Sequence, residues 1–100
     1  MLTRIVKMTF RETEIDNFKM LFNSRSLKIR SSEGCEGLRL LQDENDPRIF
    51  FTLSLWKHDD NLQAYRSSDL FADTWKKTKA LFADKPLAWS LNEAVKVELE

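Results

Sequence analysis

A chain of 100 residues makes one domain, residues 1–100, with a limited core, so a partner subunit is a natural means of burying more apolar surface. Sixteen basic and sixteen acidic side chains cancel, which removes the bulk charge that would draw the chain to nucleic acid or an anionic membrane. No window approaches the about 18 apolar residues of a membrane span, and Arg4, Lys7 and Arg11 interrupt any signal-like apolar run at the start.

Leu2 to Phe10 alternates: Leu2, Val6, Met8 and Phe10 point one way and Thr3, Lys7 and Thr9 the other, the period of a strand. Ile5 on the second face implies that this face is partly covered as well. Thr13 offers an N-cap, and Glu14 and Asp16 suit the first turn of a helix. Ile15, Phe18, Leu21, Phe22, Arg25 and Ile29 follow at helical spacing, which predicts an amphipathic helix over about 14–31.

Gly34 and Gly37 are the only glycines; they bracket Cys35 and Glu36 and turn the chain. Leu38 to Leu41 reads as a second strand, and Asp43 to Pro47 as a turn. Arg48 to Trp56 is the strongest strand. Ile49, Phe51, Leu53 and Leu55 share one face, and Phe50, Thr52, Ser54 and Trp56 the other, so both faces need cover. His58 or Asp59 can cap a short helix over 61–66, and Ser68 caps a longer one over about 69–82, whose buried stripe is Phe71, Thr74 or Trp75, Thr78 and Phe82. Asp84 to Leu91 reads as a connection. Val95, Val97 and Leu99 alternate with charged residues and predict a fourth strand.

The order is β-α-β-β-α-β, which predicts an α+β, ferredoxin-like antiparallel sheet with helices on one face. The second apolar face of the central strand, carrying Phe50 and Trp56, then requires a cover, and a second subunit packed sheet to sheet supplies it. The expected assembly is a homodimer.

Three segments carry a family resemblance: Gly34-Cys35-Glu36-Gly37-Leu38 before the second strand, Phe51-Thr52-Leu53-Ser54-Leu55-Trp56 in the third, and the run from Leu62 to Phe71. Through them the chain resembles the antibiotic biosynthesis monooxygenase (ABM) family of dimeric α+β barrels. The resemblance implies dioxygen chemistry on a small aromatic or quinone-like compound, with no metal or flavin in some members, so no cofactor is expected. It also implies a pocket between helices and sheet, for which the candidates here are Trp56, Tyr65, Phe71, Trp75 and Trp89, with Tyr65 as the candidate catalytic residue.

The chain departs from family patterns at telling positions. Many members carry a histidine where Tyr65 stands. Haem-degrading members need an axial histidine near Trp75, an asparagine near Val6 or Lys7 and a tryptophan near Tyr65; none of these is kept, so direct haem ligation is not expected. Haem breakdown stays the least favoured alternative, and flavin use is left open. A non-catalytic ligand-binding or stress-response protein of the same fold is the main alternative. An open cavity with a convergent tyrosine favours the enzyme, and a space filled by side chains defeats it.

Other candidates read more plainly. His58 is the sole histidine; it can serve as a base near neutral pH, but its polar surroundings suit a solvated cap. Tyr65 either hydrogen-bonds a phenolic or quinone substrate or packs its ring with its hydroxyl satisfied. Cys35 has no neighbouring cationic cluster to activate it, and as the single cysteine it forms no disulfide within the chain, which fits a reducing compartment, most simply the cytoplasm. The acidic turns match no calcium loop, and Lys76, Lys77, Lys79 and Lys85 read as a solvated face.

Overall fold

A computed structural model describes residues 1–100. Its strands are β1 (Leu2–Thr9), β2 (Cys35–Gln42), β3 (Ile49–Trp56) and β4 (Leu87–Asn92), and its helices are α1 (Ile15–Arg30), α2 (Asp59–Arg66) and α3 (Asp69–Lys79). One antiparallel sheet runs in the order β2-β3-β1-β4, the arrangement expected of two interlocked βαβ units.

The register sorts every side chain to a face. Leu2 pairs with Trp56, Arg4 with Ser54, Val6 with Thr52 and Met8 with Phe50, so these residues share one face. Leu2, Cys35 and Trp56 pack with Leu62 of α2, while Met8, Phe10, Phe18 and Phe50 form a second cluster with Phe22 of α1, Trp75 of α3 and Phe82 beside them. Phe50 and Trp56 therefore look toward the helices. The open face carries Ile49, Phe51, Leu53 and Leu55, which reverses the assignment made from periodicity. Both rows of β3 are apolar, so local pattern could not order them.

The second correction concerns the last strand. It is Leu87–Asn92, and the predicted strand at Val95, Val97 and Leu99 is irregular chain with those side chains exposed. The chain leaving α3 meets β1 early: Phe82 bridges Phe10, Arg11 N–H donates to the Leu81 carbonyl and Ala83 N–H to that of Thr9. Pairing then runs antiparallel from Lys7–Leu87 to Leu2–Asn92, where β1 begins and no partner remains for residues 95–99.

Smaller differences have local causes. Thr13 does not cap α1; a 3-10 turn over Glu12–Glu14 precedes it, closed by Glu14 N–H on the Arg11 carbonyl, and Glu14 stands at the cap position. The second helix starts at Asp59, two residues early, and the third stops at Lys79. Gly34 has φ 79°, and a Cβ there would run into the Asn61 side chain, so glycine is required at this turn. Gly37 lies inside β2, at a register shift opposite Leu55.

No helix is long and apolar enough to cross a membrane.

A cavity between helices and sheet

Tyr65 sits on the last turn of α2, and the α2–α3 junction fixes it. Ser68 Oγ donates to the Tyr65 carbonyl at 2.6 Å and accepts from Phe71 N–H at 3.1 Å, so one hydroxyl closes the first helix and caps the second. This brings the Tyr65 ring edge-on to Phe71, with centroids 5.3 Å apart, and stacks it on Trp56 at 5.3 Å. Phe71 stacks on Trp75 at 5.9 Å, one helical turn further on. Trp56 Nε1 donates to Ser54 Oγ at 2.9 Å on the floor below, which satisfies both buried groups.

Between the two core clusters lies a cavity of about 260 Å³. Trp56, Tyr65, Phe71 and Trp75 line it. Trp89 does not. It pairs with Ile5 on the open face of the sheet and is 43% exposed, because β4 is Leu87–Asn92 and its alternation turns Ala88 and Ser90 toward the helices. The walls also include Val6, Met8, Phe18 and Phe22, so β1 and α1 contribute alongside β3, α2 and α3.

The two charged lining residues were both missed by sequence reasoning: Arg4 of β1 and Arg66, the last residue of α2. A sign of Arg4 was present, since it is a cation in the row Leu2, Val6, Met8 and Phe10. Arg66 had no such sign; only the fold brings α2 over β1. Arg4 Nη1 donates to Ser90 Oγ at 3.0 Å. Its pKa falls below the ordinary guanidinium value, chiefly because burial removes water from the charge and next because Arg66 carries the same sign; Asp59 opposes both.

Burial pushes the Tyr65 phenol up to about 12, with a smaller contribution from Cys35. The group keeps its proton at neutral pH and acts as a donor, not a base. No buried polar side-chain atom of the chain lacks a partner, and the Tyr65 hydroxyl bonds to no other residue, so it faces accessible space.

His58 lies apart from the cavity, at the N-terminal end of α2, exposed and without a capping bond. Cys35 is buried beside Trp56, its Sγ 3.5 Å from the Gly37 carbonyl oxygen. The cavity walls hold no imidazole and no thiol, a poor match to haem. Nowhere do three or more His, Cys, Asp or Glu side chains gather as a metal site would require.

The fold and cavity together define a ferredoxin-like α+β domain with an aromatic pocket between its helices and its sheet. The sequence profile of the antibiotic biosynthesis monooxygenase family matches residues 1–77. The chain belongs to this family. A crystal structure of an antibiotic biosynthesis monooxygenase superposes with a TM-score of 0.89 at 19% identity, covering 95% of this chain and 100% of the other. A conserved protein of Methanosarcina mazei superposes at 0.86, with 20% identity and 92% of each chain covered. A Mycobacterium tuberculosis protein gives 0.86 at 13% identity, covering 97% and 98%. At these identities the likeness speaks for the fold. No curated protein matches the sequence significantly.

Proposed function

We propose that the protein is a monooxygenase acting on a small aromatic or quinone-like compound, working without a metal or flavin. The observation that carries this reading is the aromatic cavity lined by Tyr65, whose protonated hydroxyl has no partner within the chain. A hydroquinone bound there supplies the electrons itself: hydroquinone plus dioxygen gives hydroxyquinone plus water, one oxygen atom entering the ring. The protein's part is to hold the ring between Trp56, Phe71 and Trp75, to polarise a ring oxygen through Tyr65 and to keep water out. Tyr65→Phe should lower turnover of a competent hydroquinone at least about tenfold with the fold intact. Unchanged turnover removes Tyr65 from the mechanism. Binding without turnover in the parent protein would favour the ligand-binding alternative, which the lack of an acid–base pair in the cavity also suits.

The same reading includes a homodimer through the open sheet face. There Leu87, Trp89 and Leu91 are 52%, 43% and 44% exposed beside Ile5, Leu53 and Leu55, more contiguous apolar surface than a lone domain ordinarily leaves in water. Light scattering after size exclusion tests it; a stable monomer overturns it, and Trp89→Glu should shift a dimer toward monomer. A cytoplasmic location accompanies this reading, since the single Cys35 stays a free thiol.

A further inference from the structure

The cavity wall is mainly apolar and aromatic, with hydroxyls from Thr52, Ser54, Thr74 and Thr78, and its only charged residues are two arginines. Arg4 comes from the middle of the sheet and Arg66 from the end of α2; both line the same space, and Arg66 is exposed, so it stands at the mouth. Ion pairs elsewhere in the chain engage Arg11, Arg25, Arg48, Lys57, Lys77 and Lys96. Neither Arg4 nor Arg66 has a carboxylate within ion-pair distance. The acid nearest in effect, Asp59, accepts a hydrogen bond from Gln63 at 3.2 Å and does not close on Arg4.

This arrangement costs the protein stability. A half-buried guanidinium gives up hydration, and a second cation beside it adds repulsion. Arg4 keeps only a hydroxyl partner, Ser90 Oγ, and its other donors are unspent. The missing component is an anion. A carboxylate accepts paired N–H bonds from a guanidinium fork, and placed between two arginines it turns their repulsion into attraction. The rest of the cavity sets the other half of the ligand. Trp56, Tyr65, Phe71 and Trp75 present flat faces and edges, and about 260 Å³ lies just under the range of ~300–1,000 Å³ usual for small-molecule sites, which suits a compact ring system.

We propose that the ligand is a planar aromatic carboxylate, its ring held among Trp56, Phe71 and Trp75 and its carboxylate held by Arg4 and Arg66 at the mouth. The inference rests on the cavity being the substrate site and narrows that substrate to an acid. Tyr65 lines the same space and, on this assignment, meets the ring and not the carboxylate. The arginines act in binding and orientation, so they fix which ring position meets Tyr65.

Calorimetric titration with 2-naphthoate and its neutral isostere 2-naphthamide tests the assignment. At low ionic strength the naphthoate should bind at least about tenfold more tightly, and added salt should erode that margin. Arg66→Gln changes an exposed residue and leaves the core alone; it should abolish most of the margin, naphthoate binding falling far more than naphthamide binding. Arg4→Gln should do the same. Arg39→Gln, on the opposite face of the sheet, should keep the margin whole. Equal binding of the two probes, a margin that survives Arg66→Gln, or no binding of naphthoate overturns the proposal. A separate readout isolates the oxygenase reading: dioxygen consumption with a naphthohydroquinone bearing a carboxylate, against the same hydroquinone without it. Tight, arginine-dependent binding with no consumption sinks the oxygenase and leaves the anion site standing. Equal consumption and equal binding of the two hydroquinones sinks the anion site and leaves the oxygenase standing.

Discussion

The two ends of the helix–sheet layer are built from similar residues and do different things. At one end Phe10, Phe18 and Phe50 meet with ring centroids 4.0 to 5.8 Å apart, all three 2% exposed or less. At the other, Trp56, Tyr65, Phe71 and Trp75 form a file of neighbours 5.3 to 5.9 Å apart that walls a cavity. The phenylalanines converge from three parts of the chain and fill the space between them, with Phe18 also forming part of the cavity wall. The second set runs from the end of β3 along α2 and α3 and leaves space beside it, bounded by residues with polar tips. Aromatic content alone therefore says nothing of function; the geometry of convergence does.

The largest test of that contrast is at the closed end. Phe18→Ala should cost about 3–5 kcal/mol, read by chemical denaturation, since the ring is buried and its neighbours cannot collapse into the gap without moving the sheet. A loss under about 1 kcal/mol would mean that this end is not close-packed.

The next largest is at the cavity end and depends on pH. Tyr65 is raised to about 12 in the folded chain from an ordinary value near 10. Its neutral form is favoured by folding, so this contribution is complete below pH ~10 and disappears as pH rises through about 12. The parent should lose about 2 kcal/mol more than Tyr65→Phe across that window, with the two alike at neutral pH. Parallel curves would show that the phenol is solvated in the native state and that the cavity end is open to bulk water.

The smallest concerns the hinge between α2 and α3. Ser68→Ala removes the acceptor for Phe71 N–H and the donor to the Tyr65 carbonyl, and should cost about 1 kcal/mol. If Ser68 also holds Tyr65 in place, ligand affinity should fall in the same variant. Affinity preserved at reduced stability would confine the serine to capping.

Much of this molecule was legible before folding was considered. The alternation of β1 and β3, the Phe18–Phe22 face of α1, and Ser68 ahead of Phe71 are local signals, because strand period, helix period and capping act over a few residues. They suffice for the βαββαβ order; the five aromatic residues named for the pocket came from the family resemblance, and four of them line the cavity. Trp89 was misplaced because two segments near the C-terminus both alternate and sequence pattern cannot choose between them. The choice was made where Phe82 meets Phe10, which starts the pairing along β1 at once and exhausts it at Asn92.

Sequence by itself determined the first three strands, the helices, the order of elements and the family. Tertiary structure decided which apolar face of β3 the helices cover, which segment became the fourth strand, and that Arg4 and Arg66 share one space. These outcomes depend on contacts between residues far apart in the chain, where competing pairings bury similar apolar surface and only the assembled sheet and helices settle which of them form.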